Sequence, residues 1–175
     1  MALNTLKTSV GFLATMLRKY TPLHFEKKSI DGIYNYLEIN NSLCSSGQPT
    51  EDQFALIQQS GYTSIINLAP HNIENSIDDE ASTLSALGLN YIHIPVDFQN
   101  PTDSDFDTFV DAIQSTTNEK VWVHCAANMR ASAFIYRYRC SVMKEEESTA
   151  RQDIEKIWQP FGVWKKFLSG VTRSH

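Results

Sequence analysis

The segment VWVHCAANMR occupies residues 121–130, and it places Cys125 five positions before Arg130. Lys120 to His124 reads as a short apolar strand and Ala131 onward as a helix, so Cys125 falls in a strand–loop–helix turn. Such a turn directs backbone N–H groups and the positive end of the helix dipole into its loop. Arg130 would add a permanent forked cation. A cysteine inside that positive cup is expected to be held largely as the thiolate. A thiolate beside an oxyanion cradle is equipped to attack phosphorus or sulfur. Each residue also has a plain reading: Cys125 as an apolar filler, His124 as a core histidine, Arg130 as a surface pair. Their meeting at one strand–helix junction favours a site.

If a phosphoester is cleaved there, the leaving alkoxide needs a proton. Asp97 follows the strand-like run YIHIPV at 91–96 and is the leading general acid. The competing reading has Asp97 accepting turn N–H groups before Pro101. Asp103 and Asp105 are weaker candidates, because the first turn of a helix favours acidic residues anyway. Asn67 lies at the end of the strand in TSIINL, one residue before Leu68, and either orients the loop or closes a turn. Gln48 faces a pocket or a hairpin, and Glu74 reads as solvated.

Elements that could position these residues alternate along the chain. Ile33 to Ile39 and Leu43 to Ser45 form two candidate strands. Thr50, with Gln53 three residues on, opens a helix that carries Phe54 and Ile57 on one face and stops at Gly61. Further strands are expected over 63–68, 91–96 and 120–124. Helices are expected over 78–87 and from Thr102, the latter with Phe106, Phe109, Val110 and Ile113 on its buried face. Alternating strands and helices imply an α/β fold, with a central, mostly parallel sheet flanked by helices. Ligands of such sheets sit beyond the carboxyl ends of the strands, where Asn67, Asp97 and Cys125 lie. Ile154, Ile157, Trp158, Trp164 and Phe167 read as the buried stripes of two closing helices.

The 121–130 segment resembles the active-site loop of cysteine-dependent protein tyrosine and dual-specificity phosphatases. The sequences CSSGQPT at 44–50, INL at 66–68 and YIHIPVD at 91–97 resemble a bacterial phosphatase-like family also found fused to β-lactamase-hydrolase-like proteins. The resemblance covers roughly residues 33–143. It implies that Cys125 is a nucleophile that carries a phosphoryl group. Arg130 and the N–H groups of Ala126, Ala127, Asn128, Met129 and Arg130 would bind the phosphate. His124 would buttress the loop or tune the thiolate, and the Ser132 hydroxyl would help expel it. The 28-residue separation of Asp97 and Cys125 is similar to that in dual-specificity phosphatases. The chain departs from the pattern in three places. Four residues rather than five separate Cys125 and Arg130. Asn128 stands where glycine is usual, and tolerates positive φ better than other side chains. Ala69 replaces an arginine. A rhodanese-type sulfurtransferase also fits the Cys-x4-Arg spacing, and the departures suit a pseudophosphatase that binds phosphate groups without turnover.

Composition narrows the partners. The 175 residues carry a net charge of −5, which gives no global attraction to nucleic acid or an anionic membrane. A phosphorylated protein or small molecule is the expected partner. Three cysteines in no paired spacing imply no disulfide framework, although a regulatory Cys44–Cys125 bond is conceivable. The five histidines are scattered, so neither metal nor cofactor is expected. Leu3, Leu6, Val10, Leu13, Leu17 and Tyr20 recur at helical spacing before Pro22. The expected organisation is an amphipathic leader over 1–24 and one phosphatase-like domain over 25–175. A cytoplasmic location is expected, with a cleaved export signal as the alternative.

Overall fold

The computed structural model describes residues 3–18, 29–70, 76–116 and 118–170. Five strands form one sheet: β1 (Leu37–Asn40), β2 (Leu43–Ser46), β3 (Ser64–Asn67), β4 (Asn90–His93) and β5 (Val121–His124), in the order β1-β2-β5-β3-β4. The β1–β2 pair is an antiparallel hairpin, and every other pair is parallel. β2, β3 and β5 are buried along their whole length, as strands covered on both faces must be. The middle position of β5 brings the strand ends of β2 and β3 to either side of His124.

Seven α-helices and one short 3-10 helix (Ile30–Gly32) complete the described chain: α1 (Leu3–Arg18), α2 (Glu51–Gln59), α3 (Glu80–Ala86), α4 (Asp103–Ser115), α5 (Met129–Ser141), α6 (Glu147–Ile157) and α7 (Val163–Ser169). Thr50 with Gln53 and Thr102 with Asp105 close full capping boxes, which explains where α2 and α4 begin. One apolar cluster collects Phe54, Ile57, Tyr62, Leu84 and Trp122 with Cys44. The other holds Phe109, Phe134, Trp158, Trp164 and Phe167 with Cys125. Cys44 and Cys125 thus belong to separate clusters, and all three cysteines are free.

Several expected boundaries move. The chain is not a strand from Ile33, because Asn35 adopts φ 51° and turns it before Leu37. β4 stops at His93 rather than running to Val96, although the Ile94 N–H still reaches Asn67 O (2.9 Å) and the Val96 N–H reaches Leu68 O (3.3 Å). The leader is a helix, but its apolar stripe faces outward: Leu6, Val10 and Leu13 are more than half exposed, while Thr5 and Thr8 are buried. Thr8 Oγ1 donates to the Ile157 carbonyl, and Gln159 N–H donates to Thr5 Oγ1 (2.8 Å). Polar contacts therefore seat α1 on the end of α6. Tyr20, Pro22, Glu74 and the 24/25 boundary lie outside the described residues. No described helix is long and apolar enough to cross a membrane.

Candidate active site

β5 ends at His124, and Cys125 N–H reaches the Ser46 carbonyl (3.4 Å) as the last sheet bond before the loop. Beyond it, three successive carbonyls are tied back. Ala126 O accepts the Gln48 N–H (3.3 Å), Ala127 O accepts Asn35 Nδ2 (3.0 Å), and Asn128 O accepts both the N–H (3.0 Å) and the hydroxyl (2.6 Å) of Ser132. Anchoring carbonyls on the outside of a turn leaves N–H groups for its inside, which is the construction of an anion nest. Asn128 turns the chain into α5 at φ 64° and ψ 3°, the left-handed conformation its side chain tolerates. Its Nδ2 donates to Asn35 O (2.7 Å), so Asn35 and Asn128 clasp each other across the loop.

Gly47 is the contact point between this loop and the turn before β1. A Cβ there would stand 2.5 Å from Tyr34 Cδ1 and 3.1 Å from Ala126 O, so only glycine allows the approach. Tyr34 in turn donates its hydroxyl to the Thr8 carbonyl of α1, and Asn35 Nδ2 lies 3.4 Å from Thr8 Oγ1. Burial first, opposed by an Asn35 hydrogen bond and aided by the neighbouring Cys125, leaves the Tyr34 hydroxyl raised to about 12. Cys125 is itself 1% exposed. Burial raises the thiols of Cys44 and Cys140, which suits structural cysteines.

The guanidinium of Arg130 lies 5.3 Å from the centre of the Phe98 ring. Its Nε is buried and has no hydrogen-bond partner, an orphan donor of the kind an oxyanion would satisfy. Phe98 packs on Trp158 and Trp164, and Trp164 Nε1 donates to Phe98 O (3.0 Å). The segment carrying Asp97 is thereby pinned beside Arg130. Asp97 is exposed, and its Oδ1 accepts the Gln99 N–H (2.9 Å), as the turn reading expects. Asp105 is occupied by the α4 capping box, and Asp103 pairs with Arg137 (2.7 Å). Ser132 receives the Trp158 indole N–H (3.2 Å) while its own proton goes to Asn128 O, so the hydroxyl braces the loop.

Behind the loop, sequence reasoning missed Glu80. Its carboxylate is 7% exposed and accepts Gln48 Nε2 (2.6 Å), Asn67 Nδ2 (2.9 Å) and His124 Nε2 (3.1 Å). Burial alone would raise this carboxyl. The His124 charge, with hydrogen bonds from His124, Gln48 and Tyr91, overcomes that and holds it down at about 2. Asn67 also closes a turn, its Oδ1 accepting the Ala69 N–H (2.8 Å). Glu80 and Leu84 are four residues apart, and a carboxylate in register with a buried leucine was the available signal. Among the described residues, no His, Cys, Asp and Glu cluster could hold a metal ion.

Comparison with known proteins points one way. Residues 14–162 match the family model described as a DSP-PTPase phosphatase fused to NAD+ kinase, which extends well beyond the 33–143 motif region. A β-lactamase hydrolase-like protein of Xylella fastidiosa (strain Temecula1) is 39% identical over 98 residues. That match covers 54% of this chain and only 22% of the relative. A DUF442 protein of Shewanella putrefaciens CN-32, described as a phosphatase, superposes with a TM-score of 0.74 at 33% identity, covering 82% of this chain and 94% of its own. The core catalytic domain of the PP-IP phosphatase SIW14 from S. cerevisiae shares the fold at a TM-score of 0.66 and 14% identity, covering 78% and 85%. P. aeruginosa TpbA, solved in complex with pTyr, shares it at 0.59 and 14%, covering 81% and 92%.

Proposed function

The chain belongs to the DSP-PTPase phosphatases of the kind fused to NAD+ kinase, and we propose that it hydrolyses phosphomonoesters through a phosphocysteine at Cys125. The Cys125 thiolate attacks phosphorus, forming an S–P bond as the P–O ester bond breaks. Asp97 protonates the departing oxygen. Water then attacks the phosphocysteine and gives a proton back to Asp97; the S–P bond breaks, inorganic phosphate leaves, and the thiolate is regenerated. Arg130 and the loop N–H groups of residues 126–130 hold the equatorial oxygens throughout. His124 and Asn67 hold the loop from behind, and Ser132 braces it from α5.

The observation that supports this reading best is a buried, partnerless guanidinium nitrogen closing a loop whose Ala126, Ala127 and Asn128 carbonyls are tied back. Turnover of p-nitrophenyl phosphate tests it: wild type should hydrolyse the ester, and Cys125→Ser should abolish turnover while still binding vanadate. Equal rates for the two proteins, with vanadate bound by both, would install the pseudophosphatase reading instead. The alanine at position 69 and the shortened loop favour that alternative. Family membership favours phosphoryl over sulfur transfer, so the rhodanese-type reading falls behind both. Phosphotyrosine in a protein and small phosphorylated molecules are the substrate classes to compare.

A further inference from the structure

We propose that Glu80 is the positioning residue of this site, a single buried carboxylate that locks the segments after β2, β3 and β5 into the geometry the phosphate loop requires. The inference rests on the phosphatase reading above and deepens it.

Glu80 takes no part in the phosphoryl-transfer steps, yet it collects one donor from each of three strand ends. Gln48 follows β2, Asn67 ends β3 and His124 ends β5. From β4, the Tyr91 hydroxyl meets Asn67 Nδ2 (3.1 Å), and His93 stacks on Tyr91. From α2, Phe54 closes the apolar side against the His124 ring. These are the titratable and aromatic groups around the carboxylate, and the two histidines are the ones among them that can carry positive charge.

An ionised carboxylate accepts and never donates, with about four lone-pair sites. Three N–H donors around it suit an ionised carboxylate. It also fixes which atoms carry protons: the amide nitrogens of Gln48 and Asn67 must face it, and the His124 proton must sit on Nε2. The consequence reaches the loop by two short routes. Gln48 carries the backbone N–H that holds the Ala126 carbonyl outward. His124 is covalently next to Cys125, and its carbonyl accepts the Leu68 N–H (2.8 Å) beside Asn67. Removing the carboxylate frees both anchors at once.

Glu80→Gln separates this role from packing, because it preserves volume while turning an N–H₂ group toward three donors. Two measurements are compared with wild type: amide hydrogen exchange, and kinetics on p-nitrophenyl phosphate normalised to folded protein by circular dichroism. Exchange should rise about tenfold at residues 46–48 and 124–128 and stay unchanged in β1, the size expected for one lost buried hydrogen bond. The kcat should fall at least about tenfold while KM moves less than about threefold, as when transition-state alignment alone is lost. Exchange that stays at wild-type levels in the loop, or rises evenly through the sheet with normalised kcat unchanged, overturns the proposal. If wild type proves inactive, the phosphatase reading fails but the exchange comparison still decides the role of Glu80. Should Glu80→Gln not fold, Glu80→Asp, which keeps the charge but shortens the reach, carries the same comparison.

Discussion

Asn128 is the residue on which the loop's shape turns, and replacing it by alanine and by glycine separates two causes. Asn128 is fully buried, sits at φ 64°, and donates Nδ2 to Asn35 O at 2.7 Å. Both substitutions remove that hydrogen bond, at a cost of about 1 kcal/mol each for leaving a part-buried carbonyl without its donor. Alanine adds a left-handed backbone penalty of about 1–2 kcal/mol. Glycine escapes it but gives up about 0.5–1 kcal/mol through the greater freedom of its unfolded chain. The balance leaves Asn128→Ala the less stable variant by about 1 kcal/mol. With a urea m-value of about 2 kcal/mol/M, the two unfolding midpoints should differ by about 0.5 M. Vanadate affinity should follow the same order, glycine above alanine, because the backbone turn sets the nest. An alanine variant as stable as the glycine variant would refute the claim that positive φ, rather than the amide alone, fixes this position.

Other outcomes follow from contacts elsewhere in the molecule. Asp97→Asn should slow hydrolysis of alkyl phosphates at least about a hundredfold, and that of activated aryl phosphates far less, within the range of general acid catalysis; equal losses in parallel assays would remove Asp97 from the acid role. Glu80 is held at about 2, below its ordinary 4.5, so its contribution to stability is complete above about pH 4.5 and is lost as the pH falls toward 2. Acid unfolding followed by tryptophan fluorescence should therefore show a shallower loss over that window in Glu80→Gln than in wild type. Arg139 is 3% exposed and joins Glu145 (2.6 Å) and Asp153 (2.7 Å). Arg139→Ala leaves Glu145 without its partner and Asp153 with Lys156 alone, and should cost about 2 kcal/mol, a fall of about 4–8 °C in thermal midpoint for a chain of this size; a midpoint within 2 °C of wild type would contradict it.

The front of the site was legible in the sequence and the back was not, for a physical reason. Cys125, the loop and Arg130 are contiguous, so their geometry follows from one strand–helix junction, and the spacing alone describes it. The capping boxes at Thr50 and Thr102 were equally local. Glu80 belongs to another class. It stands 44 residues from His124 and 32 from Gln48, and what it touches depends on which face of α3 turns inward. Leu84 decides that, by burying itself in the cluster that also holds Phe54 and Trp122. The leader helix makes the same point in reverse. Its leucine spacing describes an apolar stripe correctly, yet the face that docks is the one with Thr5 and Thr8, because the end of α6 offers a free carbonyl and an N–H.

These two surprises share a logic. Hydrophobic periodicity predicts which residues can share a face, and it is silent about what the neighbouring surface lacks. Buried strand and helix ends lack hydrogen-bond partners, and the cost of leaving such groups unpaired exceeds that of exposing a leucine stripe. The unpaired ends around this loop select Glu80 on one side. On the other they select Asn35, whose Nδ2 approaches Thr8 of α1 while it holds Ala127 O. A phosphate loop is dense in inward N–H groups, so its carbonyls must find partners outside it. Those outer partners, Asn35 before β1, Gln48 after β2 and Ser132 of α5, with Thr8 behind the first and Glu80 behind the second, are where substitutions outside the loop should change how it binds an anion.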